Sequence, residues 1–152
     1  STDHPRIGSL YSGTLGAVFE ACMKEVPAIG FSVRSTAPDC DFSPYEQTIL
    51  DIASLAMKKD FPRDVCLNVN FPIVEKLRGV RVCRLARGNW VEEWIGADDA
   101  DTFRLTGHFV NLEPEADDTD DWVLCHGMAA VTPLKLDMTH YPTIPLLKEL
   151  ES

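Results

Sequence analysis

The residues best suited to hold a charged ligand stand together near the start of the sequence: Tyr11-Ser12-Gly13-Thr14-Leu15-Gly16-Ala17. From Thr14 to Glu25 the apolar residues Leu15, Val18, Phe19, Cys22 and Met23 recur at helical spacing, so this hydroxyl-rich, glycine-bearing turn opens a helix. The first turn of a helix leaves backbone N–H groups without intrahelical partners, and the helix dipole adds partial positive charge at the same end. Phosphate, sulfate and carboxylate are drawn to such a place. Gly13 and Gly16 allow close approach of a ligand to the backbone, and Ser12 and Thr14 bring hydroxyl groups. The same residues also fit a plain structural role, with Ser12 or Thr14 as N-cap and Gly16 as a packing position. Both readings stay open at this level: an anion seat, or a helix start and nothing more.

Other reactive side chains are scattered. None of the four histidines, His4, His108, His126 and His140, is paired at metal-ligand spacing on a helix. His4 is near the Tyr11 turn in sequence, but a nucleophile–His–acid triad assembles only in space, so spacing assigns no catalytic residue. The acidic run Glu113, Glu115, Asp117, Asp118, Asp120, Asp121 lacks the sharp-turn glycine and twelfth-position glutamate of a calcium loop and reads as a solvated loop. Cysteines stand at 22, 40, 66, 83 and 125, an odd count without a Cys-x-x-Cys pair. That excludes the common zinc and disulfide frameworks and points to small buried residues in a reducing cytoplasm.

A chain of 152 residues fits one domain and buries enough surface to need no disulfide. Its net charge of −10 argues against general nucleic-acid binding, and no apolar run is long enough for a membrane span. No signal-peptide pattern is present, so the expected location is cytoplasmic.

The elements that position the turn follow in order. Residues 28–33, after Pro27, read as a short buried strand. Ser43, Pro44 and Glu46 have the spacing of an N-cap, first helical residue and capping-box acid, and predict a helix to about Lys59 with Ile49, Ile52, Ala53, Leu55 and Ala56 inward. Residues 65–70 read as a second strand, closed by Pro72. Helix, strand, helix, strand with short connections predicts βαβ units and a parallel sheet. Beyond Pro72 the pattern changes. Residues 80–85 and 89–95 read as two strands of a hairpin joined around Arg87-Gly88, with further strands in 102–112. Asp118 or Thr119 is placed to cap a short helix ending near His126-Gly127, followed by a strand at 128–132 and a closing helix at 142–150 with Ile144, Leu147 and Leu150 on one side. The expected organisation is 1–72 as part of an α/β core, 73–112 as a β-hairpin module serving oligomer formation, and 113–152 as a return to the core with a C-terminal helix.

Charge is segregated. Lys76, Arg78, Arg81, Arg84 and Arg87 fall in a stretch without acids, whereas residues 98–121 carry nine acids against one base, Arg104. The two segments are complementary, within one chain or between subunits. Trp90 and Trp94 on the predicted hairpin suit the core of an interface, or equally a cover for the domain's own sheet.

Taken together, Tyr11–Ala17 with Pro27-Ala28-Ile29, Leu67-Asn68-Val69-Asn70-Phe71-Pro72, Gly79-Val80-Arg81-Val82-Cys83-Arg84-Leu85, Thr119-Asp120, Val131-Thr132-Pro133-Leu134 and Asp137-Met138-Thr139 resemble the SurE family of stationary-phase survival proteins, which are 5′(3′)-nucleotidases. The resemblance runs from Tyr11 to Thr139. It implies a Rossmann-like α/β fold with an extended antiparallel β-hairpin and a C-terminal segment used in oligomers, here a homo-dimer or homo-tetramer. It implies a phosphomonoesterase acting on nucleoside monophosphates with a divalent metal, Mg²⁺ or Mn²⁺. By the match, Ser12, Gly13 and Thr14 lie beside the phosphate.

The family's metal ligands have no counterpart in this sequence. An adjacent aspartate pair, a serine, and an asparagine of a Gly/Asn-rich loop would lie upstream of Ser1. The sequence therefore looks like the C-terminal half or more of such a protein, expected to be inactive alone. The alternative is a non-catalytic oligomerising fragment or a degenerate relative.

Overall fold

The computed structural model describes residues 12–35, 40–91, 94–96, 103–105 and 108–151. Tyr11, His4 and the acidic turn at 98–101 lie outside the described residues, as do the side chains of Trp90 and Trp94. The fold is mixed α/β. A central sheet has the order β1-β2-β8-β3, formed by β1 (Ile29–Val33), β2 (Val65–Phe71), β8 (Ala129–Lys135) and β3 (Val80–Val82). β1 pairs with β2 in parallel and β3 pairs with β8 in parallel, whereas β8 runs antiparallel to β2. The expected parallel character holds on both sides of that single reversal.

Helix α1 (Gly13–Met23) covers one face of the sheet. Leu15, Val18 and Cys22 are its buried stripe, packed with Cys66 of β2 and the half-buried Leu134 of β8. The helix ends at Met23 because the chain reverses at Glu25, whose φ of 57° cannot continue a right-handed helix. The opposite face is covered by a 3₁₀ turn (Ser43–Tyr45) running into α2 (Glu46–Ala56). There Tyr45, Ile52 and Ala56 meet Leu67, Val69, Phe71, Ala129 and Val131. Tyr45 stacks on Phe71 at 4.7 Å between ring centroids, and its hydroxyl donates to Pro72 O at 2.8 Å. A buried phenol needs such a partner. Ser43 is not the N-cap expected from spacing. Its N–H and hydroxyl donate to the Asp41 carboxylate at 2.9 and 2.7 Å, so the aspartate two residues earlier organises the helix entry.

Residues 80–95 depart from the expected hairpin. β3 belongs to the central sheet, and β4 (Gly88–Val91) takes β7 (His108–Asn111) as its antiparallel partner. β5 (Trp94–Gly96) pairs with β6 (Phe103–Leu105) in the same sense, so the antiparallel hairpin runs from Gly88 to Asn111. The reason lies in residues 84–87, which run beside the acidic loop instead of turning. Arg84 N donates to Asp118 O at 3.0 Å and Asp120 N to Arg84 O at 2.9 Å. Gly88 then has to be glycine: a Cβ there would stand 2.2 Å from Phe109 Cζ and 2.4 Å from Val110 O.

Helix α3 (Asp120–Cys125) begins at Thr119, whose hydroxyl accepts from Trp122 N, and stops at His126 before Gly127 with φ 75°. Val123 carries it onto Cys83 and Ala130. The expected C-terminal helix is broken into a 3₁₀ turn (Tyr141–Thr143), a single helical turn α4 (Ile144–Leu147) and a second 3₁₀ turn (Lys148–Glu151). Ile144, Leu147 and Leu150 are exposed rather than packed on the core.

Candidate functional site

The chain brings Ser12, Gly13 and Thr14 together at the N-terminus of α1, where Thr14 lies over Gly30 of β1. Ser12 is the N-cap, in extended conformation (φ −72°, ψ 123°). Its Oγ accepts from Leu15 N at 3.2 Å and its carbonyl from Gly16 N at 2.8 Å. The structural role read from spacing is therefore real. It is also what leaves the Gly13 and Thr14 N–H groups without a hydrogen-bond partner among the described residues. They point out of the helix end, where its dipole is positive. A Cβ built on Gly13 meets nothing within 4 Å among the described residues, so no packing there demands glycine at the helix mouth.

Beneath this end, Thr14 lies over Gly30 of β1, where a Cβ would stand 3.5 Å from Thr14 Cγ2, an ordinary van der Waals contact. Strand alternation fixes what else faces α1. Gly30 is in register with Asn68 and Ser32 with Asn70, while Asn68 opposes Thr132 on β8. Asn68, Asn70 and Thr132 are all buried. These polar residues escape a reading by chemistry, because carboxamides in a short strand carry no spacing signature. The signal present was their alternation with Leu67, Val69 and Phe71.

The segregated charges meet within the chain. Arg84 Nε and Nη2 donate to the two Asp118 carboxylate oxygens at 2.8 and 2.9 Å, and its Nη1 to Glu113 at 2.5 Å. Glu113 also accepts from Arg87 N at 2.6 Å, and Arg81 reaches Asp117 at 3.3 Å. The Arg84 guanidinium holds the Glu113 carboxyl down at about 2. Asp120 faces inward, nearly excluded from solvent, and accepts from Ala86 N at 2.7 Å and Asp121 N at 3.0 Å. Burial pushes its carboxyl up to about 6. Asp121 joins Arg34, at the end of β1, to Asn111 of the hairpin. Glu113, Asp117, Asp118 and Asp121 of the acidic run thus form charge pairs at the root of the hairpin, with Asp117 and Asp118 still largely exposed. Among the described residues no group of three or more His, Cys, Asp or Glu is placed to hold a metal ion. His126 stacks on Trp122 at 3.6 Å and closes α3. Trp90 and Trp94 fall on the same arm of the hairpin, on β4 and β5.

Three comparisons bear on this geometry. The family described as Survival protein SurE matches residues 6–92. A protein named 5′-nucleotidase SurE from Bacteroides thetaiotaomicron is 45% identical over 142 residues, covering 91% of this chain and 55% of the relative. One of the same name from Phocaeicola vulgatus is 42% identical over 149 residues, covering 96% and 58%. The crystal structure of Sure Protein from Aquifex aeolicus superposes with a TM-score of 0.71 at 26% identity, covering 99% of this chain and 63% of that one. The chain spans about half the length of the curated relatives it matches.

Proposed function

The chain belongs to the Survival protein SurE family, and from that membership we propose that it supplies the phosphate seat of a nucleotidase hydrolysing nucleoside 5′(3′)-monophosphates to nucleoside and phosphate. The observation that carries the reading is the pair of N–H groups on Gly13 and Thr14 at the start of α1, which have no hydrogen-bond partner among the described residues. Preorganised donors of this kind offset charge on the phosphoryl oxygens as the bond to the leaving oxygen breaks, and they need no reorganisation at that moment. Ser12 holds the first turn in place as its cap. The names of the relatives support a nucleoside monophosphate as substrate.

A divalent ion, Mg²⁺ or Mn²⁺, belongs to the same proposal. Among the described residues no group of three or more His, Cys, Asp or Glu is placed to hold it. A homo-dimer or homo-tetramer is proposed with it. No helix among the described residues is long and apolar enough to cross a membrane.

Replacing Ser12 or Thr14 by Ala in the full protein should lower turnover of a nucleoside monophosphate about ten- to a thousand-fold, the range for loss of a preorganised donor or its support. Unchanged kinetics in both variants would remove the phosphate seat from this turn. A second reading, an assembly module without catalysis, is favoured by the apolar side chains left exposed at the C-terminus, Leu146 at 68% and Leu150 at 81%. Assay of the full protein on a chromogenic phosphate ester with Mn²⁺ and with chelator separates the two, since only the first predicts metal-dependent turnover.

A further inference from the structure

Two carboxamides in β2 have no use in the account so far. Asn68 and Asn70 are 5% and 9% exposed, and among the described residues neither side chain has a hydrogen-bond partner. A buried amide left in this state is costly, and native proteins keep few of them. Chain topology says where they face. Residues 66, 68 and 70 of β2 lie on the α1 side of the sheet, with Cys66 packed against the helix itself. Leu67, Val69 and Phe71 lie on the α2 side.

Helix α1 runs antiparallel to β1, so moving toward its N-terminus moves toward the C-terminal end of the strand. Gly30 lies under Thr14, Leu15 and Val18. The next residue of β1 on that face is Ser32, which is in register with Asn70. Neighbouring strands are about 4.8 Å apart. Asn70 therefore stands on the α1 face, one step beyond Asn68 in the direction toward which Gly13 and Thr14 direct their N–H groups. A buried polar side chain and a pair of main-chain donors, each without a hydrogen-bond partner among the described residues, thus lie on the same face of the sheet.

Resting on the phosphate-seat reading, we propose that Asn70 is a substrate-binding residue: its Nδ2 group donates to a phosphoryl oxygen held by the Gly13 and Thr14 N–H groups, and Asn68 lies behind it as the polar floor. Three neutral donors from a helix end and a strand bind an oxyanion without a fixed positive charge, which suits a chain of net charge −10. A carboxamide rather than a carboxylate is required, because Asp in its place would set a negative charge against the phosphate.

Inorganic phosphate is the probe. Its inhibition constant against nucleoside monophosphate hydrolysis, and the rise in melting temperature it produces, are measured for the full protein and for Asn70→Asp and Asn70→Ser. Asn70→Asp is nearly isosteric and should weaken phosphate by about tenfold or more, the order expected for a lost hydrogen bond to a charged group. Asn70→Ser should weaken it less, and keeps the test open should the aspartate variant not fold. Phosphate binding unchanged in a folded variant overturns the role of Asn70 and leaves the Ser12–Thr14 seat standing. Reduced melting temperature with unchanged phosphate affinity assigns Asn70 to protein packing and equally overturns it. Absence of phosphate binding by the unaltered protein removes the seat itself, and with it this inference.

Discussion

Leu15 and Val18 pack closely on Gly30: a Cβ there would stand 3.2 Å from Val18 Cγ2 and 3.3 Å from Leu15 Cδ2, both tight, and 3.5 Å from Thr14 Cγ2, an ordinary contact. The height of α1 above the sheet, and so the position of its first-turn donors, is set at this contact. Enlarging residue 30 must lift the helix or distort three side chains. Gly30→Val should cost about 1–3 kcal/mol, the usual range for overpacking, and lower the melting temperature by several degrees. It should also weaken inorganic phosphate. A variant that keeps wild-type melting and phosphate affinity would show that the helix is not held at this point.

Much of this arrangement was legible in the sequence. The α1 stripe, the β2 run and the Thr119 cap rest on interactions within a few residues, which spacing records directly. The partner of β3 was not legible. Residues 80–85 and 89–95 look like a hairpin locally, yet Val80–Val82 completes the central sheet beside β8, almost fifty residues later. What decides is the Arg84 segment running along the acidic loop, a contact whose two sides carry no shared spacing. The same holds at the candidate site. Ser12, Gly13 and Thr14 announce a helix start, but that Asn70 faces the same side of the sheet as α1 follows only from the register of β1 on β2.

Glu113 offers a pH test of the hairpin root. Its folded value near 2 lies below the ordinary 4.5, chiefly through the Arg84 guanidinium and secondly the Arg87 N–H. A lowered carboxyl contributes stability that is present above pH 4.5 and is lost as pH falls through about 2. Glu113→Gln should therefore melt below the unaltered protein at pH 6, and the gap should close between pH 5 and pH 2. A gap constant across that window would mean that the charge on Glu113 contributes nothing.

The cysteines should differ sharply in reactivity. Cys22, Cys66 and Cys83 are buried, Cys40 is half-buried and Cys125 is exposed. Burial pushes the Cys66 thiol up to about 12, so almost no thiolate exists there at pH 8. A disulfide-exchange reagent at pH 8 should titrate Cys125 rapidly and Cys40 more slowly, with the other three released only on unfolding. Rapid reaction of Cys83 would contradict its packing against Val123 and Ala130.

Asp120 behaves in the opposite sense to Glu113. Its carboxyl lies near 6 because burial dominates; the neighbouring Asp121 charge raises it further, and the Ala86 and Asp121 N–H groups only partly compensate. A carboxyl raised above its unfolded 3.8 contributes stability that is full below pH 3.8 and is lost as pH rises through about 6. Asn in its place keeps an oxygen that accepts from the Ala86 and Asp121 N–H groups and carries no charge to bury. The stability of Asp120→Asn relative to the unaltered protein should therefore improve between pH 4 and pH 7, by about 3 kcal/mol at most for a shift of this size. Chemical denaturation at four or five pH values measures it. If the relative stability of the variant instead falls as pH rises, the main-chain donors outweigh burial. Asp120 would then anchor the hairpin root through its charge rather than despite it.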